Sequence, residues 1–346
     1  MKLAMSIAYA DDPVAQVDKV ADYEKAGLDL VWVAEAYGYD AVSIMGYLAA
    51  ITETIEIASG ILPIYTRTPT LLAQTAAGVD AMSNGRCVLG LGASGPQVIE
   101  GWHGVPYTTP IARTRDIIEI CRKVWKREER LTHDGRTVTL PLPGDQGTGL
   151  GKPLKIINHP KRADIPIYVA SLGPKNVEMT AELANGWLPI FYVPEKAGDV
   201  WGDDLAAGQA KRAPELGPLE VIAGGMVAIG SEDEVGRFRD IGRPMAALYI
   251  GGMGAKGKNF YNDLVTRYGW EQEAEEIQDL YLSGHKDEAA AKIPDELMRA
   301  TSLVGDIGEI ADRIAAYEEA GVTYLNITPV GADPVKIIDQ LKELIA

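Results

Sequence analysis

The sequence predicts an α/β fold, specifically a (β/α)8 TIM barrel with a late helical insertion. Strand-like and helix-like segments alternate along the 346 residues, and eight of the apolar segments have the length of a barrel strand. The alternative is an open doubly wound sheet, for which a Gly-x-Gly-x-x-Gly turn is expected after the first strand. That turn is absent, so the barrel is the preferred fold.

The predicted strands are short apolar runs bounded by turn residues. They cover residues 3–9, 30–34, 55–60, 87–91, 167–170, 187–192, 221–229 and 323–328. The helices between them begin near capping residues or prolines, and several end at glycine. They cover residues 13–26, 40–52, 70–82, 111–126, 175–185, 307–320 and 334–345.

We interpret the chain as one barrel domain over residues 1–346 with two excursions. Residues 130–165 form a hairpin and loop excursion, in which His133-Asp134-Gly135-Arg136 is typical of an exposed β-hairpin. Residues 255–300 are helical and charged, and we expect them to form an insertion late in the barrel rather than a second domain.

Composition narrows the class of protein. A formal net charge of −16 argues against nucleic acid or an anionic membrane as the main partner, although a local basic pocket could still bind phosphate. Cys87 and Cys121 are expected to be buried free thiols, which suits a reducing cytoplasm. We find no signal peptide, no apolar run approaching the ~20 residues of a membrane span, and no metal-ligand spacing.

The segment over residues 58–92 is the most informative about function. An apolar strand runs into a kink at Ser59-Gly60-Ile61 and then a proline-bounded loop. A helix follows, then a stop at Asn84-Gly85-Arg86 and a second strand that ends in Gly90-Leu91-Gly92. The irregular backbone stands at the carboxyl end of a strand, where α/β barrels build active sites.

The order of these segments resembles the bacterial luciferase-like superfamily, and within it the branch that uses the deazaflavin coenzyme F420. Trp32-Val33-Ala34-Glu35 and Ala170-Ser171-Leu172-Gly173-Pro174-Lys175 belong to the same resemblance, which covers nearly the whole chain. It implies an F420-dependent oxidoreductase that moves a hydride between C5 of the deazaflavin and a small organic substrate, in a homodimer. One alternative is an FMN-dependent monooxygenase of the same fold, and another is a non-catalytic flavin-binding barrel.

Glu35 is the predicted catalytic residue. It follows the second strand, where a barrel carboxylate faces the mouth, and the resemblance implies that it approaches the edge of the deazaflavin ring. The alternative is a solvated helix cap. Some deazaflavin dehydrogenases carry a histidine next, but here Ala36 follows, which makes a histidine-assisted alcohol oxidation less expected. Arg67, farther along the chain, is equally compatible with facing an anion and with a surface ion pair.

Ser59, Gly60 and Ile61 are predicted to support the cofactor ring. The resemblance implies a bulge with a non-prolyl cis peptide bond, either between Ser59 and Gly60 or between Gly60 and Ile61. A side chain at Gly60 would be expected to clash with the ring, which glycine avoids. An ordinary bulge at a strand end is the alternative.

Two further loops are predicted to bind the cofactor. The resemblance places the ring or its ribityl chain against Gly92, Ala93, Ser94 and Gln97, although a plain glycine-rich connection would have the same composition. After the fifth strand, exposed N–H groups and a helix N-terminus predict a phosphate cradle. Its predicted members are Ala170, Ser171, Leu172, Gly173 and Lys175, and the alternative is a capped helix start.

The substrate pocket is predicted to contain His103, Phe191 and Tyr192. His103 is the best placed of four histidines, although a lone histidine in a loop is more often structural. The apolar and aromatic segment 189–193 favours a less polar substrate. The segment around Asn259-Phe260-Tyr261 is expected to form a lid over the pocket or a dimer surface.

Overall fold

Eight parallel strands close into a barrel, so the chain is an α/β TIM barrel, as the sequence predicted. The computed structural model describes residues 1–7 and 12–345. In the described part of the chain the strands are β1 (Lys2–Ser6), β2 (Leu30–Val33), β3 (Glu56–Ser59), β4 (Leu62–Pro63), β5 (Cys87–Gly92), β6 (His133–Asp134), β7 (Thr139–Leu140), β8 (Ile167–Val169), β9 (Gly186–Trp187), β10 (Glu220–Ile229), β11 (Leu303–Gly305) and β12 (Tyr324–Pro329). Around the barrel the order is β1, β2, β3, β5, β8, β9, β10 and β12, and β12 pairs with β1 to complete the ring.

Helices connect the strands and cover the outside of the barrel. Many carry a proline in the first turn, where its missing N–H costs no hydrogen bond. The described helices are α1 (Pro13–Val17), α2 (Val20–Lys25), α3 (Ala41–Ile51), α4 (Pro69–Met82), α5 (Pro96–Gly101), α6 (Pro110–Lys126), α7 (Pro174–Leu183), α8 (Pro194–Gln209), α9 (Glu232–Val235), α10 (Arg243–Ala247), α11 (Phe260–Arg267), α12 (Glu271–Leu282), α13 (Lys286–Ala291), α14 (Asp295–Ala300), α15 (Ile307–Glu319) and α16 (Pro334–Ile345).

The barrel interior is packed, and its N-terminal end is closed by paired polar groups. Inside, Trp32 contacts Tyr168 with ring centroids 6.1 Å apart. Below them, Lys2 Nζ donates to the Tyr324 hydroxyl at 2.9 Å, and that hydroxyl donates to Glu56 Oε2 at 2.6 Å. Burial, followed by the nearby carboxylates, raises the pKa of the Tyr324 phenol well above its usual value. These contacts leave the C-terminal end of the barrel as the place for a ligand.

The sixth barrel strand is shorter than predicted. The prediction covered residues 187–192, but β9 contains only Gly186 and Trp187. Phe191 has a φ of 51°, a left-handed conformation that no strand accommodates. Pro189 has no N–H to donate to a neighbouring strand. Residues 188–193 therefore belong to the loops at the barrel mouth.

Several other elements differ from their predictions. The helix predicted over residues 13–26 is divided into α1 and α2, and α5, α8, β4 and β11 were not predicted. β11 pairs with the end of β10, with Leu303 opposite Val227. The range predicted as a helical insertion contains α11 to α14. Residues 8 and 9, predicted as the end of the first strand, lie outside the described residues.

The predicted hairpin is present, but His133 is not exposed. β6 and β7 pair antiparallel, and the His133 side chain lies beneath them, with Nε2 3.2 Å from Asp116 Oδ1 on α6. The alternating pattern could not show that α6 lies behind this turn. The predicted free thiols are confirmed, since Cys87 and Cys121 are both buried and unpaired.

Candidate active site at the C-terminal end of the barrel

Glu35 lies just past β2 and is held by Arg67. The guanidinium donates to both carboxylate oxygens, at 2.5 and 2.9 Å, and the backbone N–H of Ala41 donates to Oε2 at 3.0 Å. The two side chains are 10% and 15% exposed, so this is not a surface pair. The hydrogen bonds to Glu35 raise the pKa of Arg67, although burial opposes them. Glu35 thus fixes the start of α3 at the C-terminal end of β2.

The predicted bulge follows β3, and its cis peptide bond lies between Gly60 and Ile61. The Ser59 hydroxyl donates to the Gly90 carbonyl at 2.8 Å and accepts from the Gly90 N–H at 2.9 Å, which fastens the bulge to β5. A Cβ at Gly60 would lie 3.3 Å from the Trp32 side chain, so glycine also relieves close packing against the barrel interior.

Gly92 also has a packing role. A Cβ at this position would lie 2.8 Å from Ile61 Cγ1, so glycine gives the Ile61 side chain its place beside β5. The next residues reach the mouth: Ala93 is half-buried and Ser94 is exposed. Ser94 has a φ of 58°, which is uncommon for a residue other than glycine. Gln97, in the first turn of α5, is exposed.

The start of α7 has the features of an anion site. Leu172, Gly173 and Lys175 donate no backbone hydrogen bond to any residue within 1–7 or 12–345. The carbonyls of Ser171 and Leu172 accept from the indoles of Trp187 and Trp201, at 2.9 and 3.0 Å. The two indoles fix this segment, which we call the α7 cradle (residues 170–175). Free N–H groups at a helix N-terminus stabilise an anion.

Two side chains predicted for the cradle are engaged elsewhere. The Ser171 hydroxyl is buried and lies 2.9 Å from Thr180 Oγ1, which itself donates to the Asn176 carbonyl. Ser171 therefore supplies the proton of that bond and has none for a phosphate. Lys175 pairs with Glu178 at 3.1 Å and is 83% exposed. The backbone, rather than these side chains, makes the cradle.

Some buried polar atoms at this end of the barrel have no hydrogen-bond partner among the described residues. They are Nε2 of His103, Oδ1 of Asn176 and Oδ1 of Asn326. Such atoms are uncommon in folded proteins and indicate a bound water or ligand. Asn326, on β12, was missed by the sequence reasoning. Its only signal was one polar side chain at an inward-facing position near the end of a barrel strand.

The two predicted aromatic pocket residues, Phe191 and Tyr192, have different environments. Tyr192 is 3% exposed, and its hydroxyl donates to the Ala320 carbonyl at 2.8 Å. These are the contacts of a packing residue, and burial raises the pKa of its phenol to about 12. Phe191 is half-buried and contacts the rings of Tyr249 and Tyr261.

The described ranges, residues 1–7 and 12–345, contain no group of three or more His, Cys, Asp or Glu side chains arranged to hold a metal ion. None of their helices is long and apolar enough to cross a membrane.

Comparisons with known proteins agree with the fold. The family described as luciferase-like monooxygenase matches residues 3–324. The chain is 44% identical over 341 residues, 97% of each chain, to a Mycobacterium tuberculosis protein named "Putative coenzyme F420-dependent oxidoreductase". It is 27% identical over 330 residues to the 5,10-methylenetetrahydromethanopterin reductase of Archaeoglobus fulgidus, which covers 93% of this chain and 92% of that one.

A solved structure gives the same fold. The coenzyme F420-dependent tetrahydromethanopterin reductase of Methanopyrus kandleri superposes with a TM-score of 0.78 at 22% identity, covering 98% of this chain and 96% of that one. With the match over residues 3–324 and the 44% identity to the mycobacterial protein, the chain belongs to the luciferase-like monooxygenase family.

Proposed function

We propose that this protein is an F420-dependent oxidoreductase that transfers a hydride between C5 of the deazaflavin and a small organic substrate. The observation that carries the proposal is the α7 cradle, a row of free N–H groups at the same end of the barrel as Glu35 and the Gly60 bulge. The mycobacterial relative named for F420 supports the choice of cofactor. When bound, F420 would supply a carbon that gains or loses two electrons together with a hydrogen.

The chain's own part is to bind, orient and exclude water. The N–H groups of Leu172, Gly173 and Lys175 would hold the phosphodiester of the F420 tail, because these donors have no protein acceptor among the described residues. The bulge at Ser59, Gly60 and Ile61 would support the ring. Ala93, Ser94 and Gln97 would contact the ring or its ribityl chain.

Glu35 is the proposed catalytic residue at the edge of the ring. Its oxygens already accept three hydrogen bonds, from Arg67 and Ala41. Glu35 therefore acts as a fixed acceptor, and it can exchange a proton with a ligand only where the Arg67 pair opens. Arg67 is thereby proposed as the residue that positions it.

The remaining assignments complete the proposal. His103, with its unpartnered Nε2, would contact the substrate, and Phe191 would line the pocket, whereas the contacts of Tyr192 give no support to such a role. We also propose that the protein acts as a cytoplasmic homodimer. Light scattering of the purified chain at micromolar concentration checks the oligomeric state.

The test is a titration of the purified protein with F420 and with FMN under equal conditions. We expect F420 to bind at least about tenfold more tightly, a difference of about 1.4 kcal/mol. The comparison is needed because FMN also carries a phosphate that the cradle could hold. Tight FMN binding without measurable F420 binding would contradict the proposal and favour a flavin monooxygenase. F420 binding without turnover of any substrate would favour a non-catalytic barrel.

A further inference from the structure

Three aromatic rings meet nearly at right angles where the insertion reaches the barrel mouth. The rings of Tyr249 and Tyr261 lie 4.8 Å apart at 86°. Phe191 completes the group, 5.8 Å from Tyr249 at 81° and 6.4 Å from Tyr261 at 89°. We call these three residues the aromatic corner. All three remain partly exposed, so the corner is not fully covered by protein.

Phe191 reaches the corner through an unfavourable backbone conformation. Its φ of 51° is an outlier for a bulky side chain and is sterically unfavourable. The Tyr268 hydroxyl donates to the Phe191 carbonyl at 2.8 Å and holds this conformation. Strained residues of this kind concentrate at ligand-binding sites.

A buried asparagine fixes the backbone that carries the other two rings, those of Tyr249 and Tyr261. Asn259 is 1% exposed, and its Nδ2 donates to the carbonyls of Tyr249 and Ile250, each at 2.9 Å. Its Oδ1 accepts from the backbone N–H of Tyr261 at 3.0 Å. Phe260, which lies between Asn259 and Tyr261 in the sequence, places its ring 3.5 Å from the position that a Cβ of Gly173 in the α7 cradle would take. The turn over residues 259–261 therefore brings the aromatic corner next to the cradle.

The corner also presents one hydrogen-bond donor. The Tyr261 hydroxyl makes no hydrogen bond to a residue in the described part of the chain. Burial, followed by the nearby phenols of Tyr249 and Tyr107, raises the pKa of Tyr261. The phenol therefore keeps its proton at neutral pH and can donate it in a hydrogen bond to a ligand.

We propose that the aromatic corner is the substrate subsite and that it selects planar, uncharged ring compounds bearing a carbonyl oxygen, which accepts from the Tyr261 hydroxyl. A flat ring can stack on one wall while its edges meet the faces of the other walls, and such aromatic pairs are favourable beyond the area they bury. A puckered saturated ring of the same size cannot make both contacts. This substrate class rests on the proposed function, because it takes the barrel mouth as the active site.

The experiment compares two ketones of equal heavy-atom count by isothermal titration calorimetry, with and without saturating F420. Acetophenone is planar, and cyclohexyl methyl ketone is not. We expect acetophenone to bind about fivefold more tightly. Tyr261→Leu should abolish this preference, and Tyr261→Phe should keep it but weaken acetophenone binding by about fivefold, or about 1 kcal/mol. Tyr47→Leu, which removes an exposed tyrosine on α3, is the matched control and should change neither affinity.

Each alternative result overturns the proposal. Equal affinity for the two ketones, no acetophenone binding at millimolar concentration, or an unaltered preference in Tyr261→Leu would each show that the corner is only packing. If Tyr261→Leu loses its circular dichroism spectrum, Phe191→Leu replaces it with the same expected loss of preference. Because the preference is also measured without cofactor, a failure of F420 to bind contradicts the proposed function separately.

Discussion

The polar groups at the two ends of the barrel differ in how they are hydrogen-bonded. At the N-terminal end, Lys2, Tyr324 and Glu56 satisfy one another across the interior. At the C-terminal end, polar atoms of His103 and Asn326 are buried without a described partner, and the α7 cradle has free N–H groups. Unpaired buried groups cost stability. This difference supports the proposal that the C-terminal end binds a ligand, whereas the contacts at the N-terminal end stabilise the fold.

The largest expected effect comes from placing a negative charge in the cradle. Gly173 is the N-cap of α7, with φ −72° and ψ 148°, where Asp and Asn are both favoured. We expect Gly173→Asp to fold normally yet bind F420 about thirtyfold more weakly, or about 2 kcal/mol, because its carboxylate repels the phosphodiester. Gly173→Asn is the matched uncharged control. Equal F420 affinity of the two variants in a fluorescence titration would show that no phosphate binds there.

Substitution of Glu35 tests the paired carboxylate at the ligand end. Glu35→Gln should lower the hydride-transfer rate or F420 affinity by more than about tenfold, or about 1.4 kcal/mol, because a charge-assisted hydrogen bond is lost. Asp306→Ala removes the exposed cap of α15 and should cost about 1 kcal/mol of stability with little kinetic change. If Glu35→Gln behaves like Asp306→Ala, with a lower melting temperature and unaltered turnover, Glu35 is only structural.

At the N-terminal end the expected effect is on stability alone. Tyr324→Phe removes a hydroxyl that bonds to Lys2 and Glu56, and we expect a loss of about 1–1.5 kcal/mol in urea unfolding. The affinity for F420 should stay the same. Tyr47→Phe removes an exposed bond to Asp18 and should cost less. A change of F420 affinity in Tyr324→Phe would mean that the two ends are not independent.

The smallest expected effect concerns pH and the hairpin. Burial would raise the pKa of Asp116, but hydrogen bonds from Thr137 and His133 outweigh it, so the pKa is lowered. A carboxyl with a lowered folded-state pKa stabilises the protein above its unfolded value, and this contribution is lost as pH falls through the folded-state value. The melting temperature of wild type should therefore exceed that of Asp116→Asn at pH 7, with a smaller gap at pH 3. A gap independent of pH would contradict this account.

The sequence predicted the barrel because each strand is a local apolar run with its own stop signal. It did not predict where β9 ends, since the conformation of Phe191 depends on a hydrogen bond from Tyr268, 77 residues away. In the candidate site, the cis peptide bond lies between Gly60 and Ile61, which is one of the two positions expected from the sequence. The partner of Ser171 and the orphaned oxygen of Asn326 were not predictable, because both depend on how distant elements pack.

The bond between Ser59 and Gly90 has a consequence for changing the substrate range of this protein. A Cβ at position 90 would lie 1.8 Å from the Ser59 carbonyl oxygen, so no other amino acid fits there without moving two strands. A mutant library aimed at new substrates should therefore keep Ser59 and Gly90 constant. Diversity belongs at the proposed pocket residues His103, Phe191 and Tyr261, which lie outside the barrel strands, so that altered specificity need not come with lost expression.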